Sequence, residues 1–190
     1  MTCRILIAYY SREGSTAKMA RLIARGVEKT QAEAVVRQVA SLNGNGMDDG
    51  PPILSTEDWA ECDGLIMGSP TRFGNMAAPL KHAIDQTGSH WASGTLVDKP
   101  AAVFASSGSM HGGQESTLLS MMLPLMHHGM LIAGLPYSEA GLMRTTSGGT
   151  PYGASHWAGP DNDRDLDENE AALCRALGQR VARLALGRAR

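Results

Sequence analysis

The 190-residue chain has few aromatic residues, 5% of the total, so its core must be built mostly from Ala, Leu, Ile, Val and Met. Cysteine is scarce as well. Cys3, Cys62 and Cys174 are odd in number and share no CxxC or metal-ligand spacing, which argues against a disulfide framework and a zinc site. Each thiol reads as a small buried hydrophobe of a reducing compartment. Charge of one sign is missing: 17 basic against 19 acidic side chains leave a net −2. No strong field therefore draws in nucleic acid or an anionic membrane. The longest apolar runs, such as Ile5–Tyr10, fall far short of the roughly 18 residues of a spanning helix. The N-terminus lacks the basic start and small-residue cleavage site of a secretory signal. The expectation is a cytoplasmic protein without membrane insertion.

Several catalytic signatures are absent too. GxxxxGK[ST] and GxGxxG do not occur, and the glycines of the Gly44–Gly50 run have other spacings. The chain should not hold a dinucleotide in the Rossmann manner. Without GxSxG there is no hydrolase elbow, and without HExxH or clustered His and Cys no catalytic metal is expected. His127 and His128 are adjacent on a predicted helix, so they face about 100° apart and cannot grip one metal together.

What the chain does have is glycine, 22 of 190 residues, well above the usual share of about 7%. That excess points to loops where backbone approaches something closely. Short apolar runs at Arg4–Tyr10, Ala34–Val39, Gly64–Ser69, Pro100–Ser106 and Met130–Leu135 read as buried strands. Helical spacing marks Ala17–Val27, Met76–Thr87, Gln114 to about His128, and Glu168–Leu186. Thr56 starts a short helix, with Thr56 or Ser55 as its cap. Tyr137–Asp165 reads as long and irregular, and the acidic run Asp161–Glu170 as a solvated loop and helix start. No repeat or linker interrupts residues 1–190, so one domain is expected. Strand–helix alternation implies a parallel sheet with helices on both faces, whose ligand sits at the carboxyl ends of the strands.

Three loops leave those strand ends, Ser11–Thr16, Pro70–Asn75 and Ser107–Gly113, and all are rich in Gly, Ser, Thr and Asn. In the first, Ser11, Ser15 and Thr16 supply hydroxyls and Gly14 lets the backbone curl toward a helix N-terminus. Such a loop can neutralise a terminal phosphate without lysine. An ordinary capped turn explains the same residues. In the second, Thr71, Arg72, Phe73, Gly74 and Asn75 offer donors and one aromatic face to the rim of a flat heterocycle, or simply form a Pro-Gly turn. In the third, small residues let a ring lie flat against main chain, with His111 as a contact or a surface group. Trp91 sits in SHWASG, an odd place for a core residue. It suits covering an aromatic ligand, packing across a subunit interface, or plain packing. A mononucleotide with one phosphate fits these loops better than a dinucleotide.

The segments YYSREGSTAKMA, GSPTRFGNMAAPLKHAIDQTG, WASGTL, SSGSMHGGQE, HHGM and GGTPYGA follow one another in the chain. Together they resemble the WrbA-type NAD(P)H:quinone oxidoreductases over nearly the whole length. The resemblance implies a flavodoxin-like three-layer α/β sandwich, its five-stranded parallel sheet in order 2-1-3-4-5. It also implies non-covalent FMN, NADH or NADPH as reductant, a quinone as acceptor, and a homotetramer built from dimers. By position, Ser11, Arg12, Glu13, Gly14, Ser15 and Thr16 match the phosphate loop. Thr71, Arg72, Phe73, Gly74 and Asn75 match the loop along the isoalloxazine ring. Ser106, Ser107, Gly108, Ser109, Met110, His111 and Gly112 match the other ring-contacting loop, and His127 matches a histidine lining the flavin pocket. Trp91 and Glu13 fall at the site where nicotinamide or quinone stacks, although many members carry an aromatic where this chain has Glu13. The implied reaction is a two-electron, ping-pong reduction of quinone to hydroquinone, with no protein general acid assigned and no metal. Two other readings stay open: an electron-carrier flavodoxin, and an FMN-binding regulator without turnover. Carriers usually present an acidic face, and here only Asp48 and Asp49 border the loops.

Overall fold

Five short apolar or small-residue runs do form a sheet. The computed structural model describes residues 2–43 and 50–188. Asp48, Asp49 and most of the glycine run lie outside the described residues. Along the chain come β1 (Arg4–Tyr9), α1 (Ser15–Val27), β2 (Glu33–Gln38), α2 (Thr56–Glu61), β3 (Gly64–Arg72), β4 (Asn75–Met76), α3 (Ala78–Asp85) and α4 (Gly88–Ala92). Then follow β5 (Pro100–Ser107), α5 (Gln114–His127), β6 (Leu131–Ile132), α6 (Gly141–Arg144), β7 (Ala154–Trp157) and α7 (Glu168–Arg188). The main path of the sheet is β2-β1-β3-β5-β6, with parallel pairing throughout. This is the expected order, read by sheet position.

Strand alternation divides the core. Ile5, Ile7 and Tyr9 of β1, Ile66 of β3, and Ala102 and Phe104 of β5 face α1 and α7. Leu6, Ala8, Leu65, Met67, Ala101, Val103 and Ala105 face the opposite cluster with α3 and α5 residues such as Leu80, Leu118, Met121 and Leu125. This is the period-2 alternation of a sheet covered on both faces. With so few aromatics, the layers close by near contact of backbone. A Cβ at Gly26 would sit 2.1 Å from the Arg175 carbonyl oxygen, and one at Gly178 would sit 2.2 Å from that of Ile23. Glycine at these two positions lets α1 and α7 touch main chain to main chain.

Three expectations need correction. Residues 70–72 do not leave the sheet as a loop; β3 runs on to Arg72 and folds back through an antiparallel hairpin onto β4. The turn residues Phe73 and Gly74 both have positive φ, 53° and 75°, the twist that suits a two-residue hairpin. The fifth sheet position is not one strand but two. β6 pairs with the start of β5, and β7 pairs with its end from Phe104 to Ser107. β7 lies inside the stretch expected to be irregular. Finally, the acidic run is not wholly solvated. Glu170 is 0% exposed.

The region around Glu170 is a polar core. Its carboxylate accepts backbone N–H bonds from Gly148, Trp157 and Asp167 at 2.9, 3.0 and 3.0 Å. It also accepts His156 Nδ1–H at 2.9 Å and the Arg164 guanidinium at 3.1 Å. Asp167 returns a capping bond, accepting the Glu170 N–H at 2.9 Å. Burial pushes this carboxyl up, but the hydrogen bonds from His156, Asp167 and Trp157 outweigh it and hold the group down to about 2. His156 Nε2 meets the Arg164 carbonyl at 3.1 Å. Both ring nitrogens thus face oxygen atoms of the polar core.

Candidate functional site

The carboxyl ends of β1, β3 and β5 open onto one cleft of about 280 Å³. It lies where the chain, having gone from β1 to β2 on one side, returns to β3 on the other, the switch point at which open α/β sheets bind ligands. Its first wall is the turn into α1. Gly14 caps that helix at φ 97°, a conformation that a side chain makes costly. Lys18 N–H makes the first bond inside the helix, to Gly14 O at 2.9 Å. The N–H groups of Gly14 and Ala17 go to Ser11 Oγ at 3.1 and 3.4 Å. That leaves the N–H groups of Ser15 and Thr16, which find no acceptor among the described residues. They point out of the positive end of the helix dipole, beside the cleft that both residues line.

The floor is buried and polar. Thr16 is 1% exposed and shares a 3.0 Å hydrogen bond with Ser106 Oγ. The second wall is main chain of β3 at Pro70, Thr71 and Arg72, and the third is Ser106, Ser107 and Gly108. Hydroxyls here are locked from behind. Thr71 Oγ1 bonds Thr117 Oγ1 at 2.6 Å, and Ser107 Oγ donates to Ser109 O at 2.7 Å. These bonds fix the walls and leave their edges free. Arg12 pairs loosely with Glu13 at the exposed lip, at 3.8 Å. No lysine lines the cleft.

Of the expected site residues, the structure brings Ser11, Arg12, Glu13, Ser15, Thr16, Thr71, Arg72, Ser106, Ser107 and Gly108 into this lining. Gly14 shapes the turn without lining it. Phe73, Gly74 and Asn75 form the hairpin turn and return strand beside the cleft, where Asn75 Oδ1 accepts Ser120 Oγ at 2.9 Å. A Cβ at Gly113 would lie 2.8 Å from the Gly74 Cα, so this hairpin presses against the third loop. Ser109, Met110, His111 and Gly112 lie farther out, and His111 is exposed.

Two expected residues lie elsewhere in the chain. His127 is exposed at the C-terminal end of α5, about 20 Å of helix from the end at Gly113. Trp91, 60% exposed, sits on α4, whose cap residue Thr87 hydrogen-bonds His128 at that same end of α5, at 2.9 Å. Desolvation lowers the affinity of His128 for a proton. All three cysteines are free and buried; burial pushes the Cys62 thiol up to about 11. Among the described residues no group of three or more His, Cys, Asp or Glu is placed to hold a metal ion. No helix among them is long and apolar enough to cross a membrane.

Gly159, Pro160 and Asn162 also line the cleft, and sequence reasoning missed them. Their signal was present as Gly-Pro-Asp-Asn, a dense turn signature. It goes unread unless Ala154–Trp157 is first recognised as a strand.

The sequence profile of the NADPH-dependent FMN reductase family matches residues 1–140. A protein of Geotalea daltonii named NAD(P)H dehydrogenase (quinone) is 43% identical over 197 aligned residues, covering 96% of each chain. Among solved structures, a WrbA-like flavodoxin from Agrobacterium tumefaciens superposes with a TM-score of 0.71 at 23% identity, over 98% of this chain and 99% of the other. Oxidised flavodoxin 1 from Bacillus cereus gives 0.62 at 18%, over 95% and 97%. Those two likenesses are of fold, and the fold is flavodoxin-like. The sequence matches reach further: the family profile spans most of the chain, the curated relative matches nearly all of it, and the chain belongs to the NADPH-dependent FMN reductase family.

Proposed function

We propose that the protein is an FMN-dependent NAD(P)H:quinone oxidoreductase that reduces quinones to hydroquinones by a ping-pong mechanism. The observation that carries this is the pair of unpartnered N–H donors at Ser15 and Thr16 over a polar, lysine-free cleft. The residues present fit a flavin mononucleotide. Ser15 and Thr16 N–H with the Ser11 hydroxyl suit the phosphate, and the main chain of residues 70–72 and 106–108 suits the edges of a flat ring. Bound there, FMN would supply the two-electron chemistry that links nicotinamide to quinone. The chain's own contribution is to orient and to set charge. Arg72 at the cleft wall favours a negatively charged reduced ring. A single cleft leaves room for one partner at a time, so reductant leaves before acceptor enters.

Trp91 and His127 reach a flavin only if a second copy supplies them, since in one chain they lie at the far end of α5. Phe73, fully exposed at the hairpin tip, and Leu119, Leu123 and Met126 along α5 give the chain an uncovered apolar face. This supports the homotetramer. Cytoplasmic placement fits three free buried thiols.

The test is anaerobic. Purified protein should be yellow, bleach on adding NADH or NADPH, and recover its colour with benzoquinone, with parallel initial-rate lines in steady state. Protein that takes up no FMN ends this reading. Bleaching only with a reductase protein would make it an electron carrier, and intersecting lines would remove the ping-pong order.

A further inference from the structure

The turn that follows β7 has no assigned role, and its bonding is unusually directed. Asn162 sits in the left-handed region at φ 56°, which asparagine tolerates better than most residues. From there its amide grips the first loop at two points. Oδ1 accepts the Ser15 hydroxyl at 2.7 Å and Nδ2 donates to the Glu13 carbonyl at 3.1 Å. These points flank Gly14, the residue that turns the loop into α1. The partners are 147 and 149 positions apart in sequence, so neither bond is part of a local turn.

The turn is itself held rigidly. Ala158 N–H donates to Ser107 O at 2.8 Å and Arg164 N–H to Ala158 O at 3.0 Å. The Arg164 guanidinium lies over the Trp157 ring, 5.1 Å from its centroid, and bonds the buried Glu170. A Cβ on Gly108 would come within 3.4 Å of the Gly159 carbonyl, so the turn also touches the third loop. It therefore spans from one wall of the cleft to the other.

Resting on the mononucleotide reading of the cleft, we infer that residues 158–164 form a strap over its phosphate end, with Asn162 as a positioning and specificity-determining residue. The strap shapes the 11–16 loop for a terminal phosphate and bars a flavin whose phosphate is extended by an adenylyl group. Because Ser15 gives its hydroxyl proton to Asn162, the phosphate is left to the Ser15 and Thr16 N–H groups and Ser11. A second nucleotide joined at that phosphate would have to displace the Asn162 bonds.

The experiment is flavin titration of apo-protein, followed by fluorescence quenching, with FMN, riboflavin and FAD in turn. Asn162→Gly removes both bonds and keeps the positive φ free of a Cβ penalty; Asn162→Ala adds that penalty. In both variants FMN affinity should fall about tenfold, the loss of one to two hydrogen bonds. Riboflavin, which has no phosphate, should bind as it does to the unaltered protein, and the FAD-to-FMN affinity ratio should rise about tenfold or more. A merely structural role would weaken FMN and riboflavin together, and that result overturns the inference while leaving the mononucleotide reading intact. So would an unchanged FAD-to-FMN ratio. Unaltered protein that binds none of the three flavins would overturn the reading and the inference with it.

Discussion

Side by side in the sheet, β5 and β7 are both buried, but they reach that state by different routes. β5 does it with small and apolar residues, Pro-Ala-Ala-Val-Phe-Ala-Ser-Ser, interdigitated between two helix layers. β7 does it with Ala-Ser-His-Trp, and its buried polar groups each have a specific partner. Ser155 Oγ accepts the Gly149 N–H at 2.7 Å, and His156 lies between Glu170 and the Arg164 carbonyl. An apolar strand needs only neighbours of the right size. A polar one needs named partners in the right protonation state, and it carries their pH dependence.

The sharpest way to break the apolar side is Phe104→Ala. The side chain is 0% exposed, and its loss should cost about 4 kcal/mol in urea unfolding, equally at pH 7 and pH 3. A cost that varied with pH would mean the two regions are not separate.

Glu170→Gln tests the other side. The folded-state carboxyl is held at about 2 against an ordinary 4.5. A depressed value of this kind contributes stability in full above about pH 5, and that stability is lost as the pH falls toward 2. The substitution should cost about 3 kcal/mol at pH 7, with the gap to the unaltered protein narrowing steadily below pH 5. A gap that stayed constant down to pH 2 would show that the carboxylate charge is not what holds the region.

The smallest effect concerns the exposed hairpin. Phe73 holds a positive φ with its ring fully in solvent, a strain that the single chain does not repay. Phe73→Asn should raise the stability of a dilute monomer by about 1 kcal/mol and shift assemblies toward smaller species in light scattering. Weaker monomer stability would show that the ring already packs within its own chain.

The same contrast explains what was legible in the sequence. Apolar runs gave β1, β3, β5 and their helices, because burial of such runs depends on pattern alone. The three cleft-forming loops were found by composition at strand ends. The hairpin after Ser69 was missed because Pro70 reads as a stop, although here it pairs within the sheet beside Ser106. β7 was missed because Ser and His look like loop residues until Gly149, Glu170 and Arg164 are brought to them. With β7 unseen, Asn162 had no strand end to follow, and the fourth contributor to the cleft went with it. His127 rests on resemblance alone, whereas Trp91 also stood out by its Gly- and Ser-rich surroundings. Nothing in the chain's local pattern separates a residue that serves its own cleft from one that serves a neighbour's.

The amides of Gly148, Trp157 and Asp167 all donate to one carboxylate, though they belong to three segments separated in sequence. A fluctuation that moves Glu170 frees all three at once. This corner of the molecule should therefore open as one cooperative unit rather than fray segment by segment.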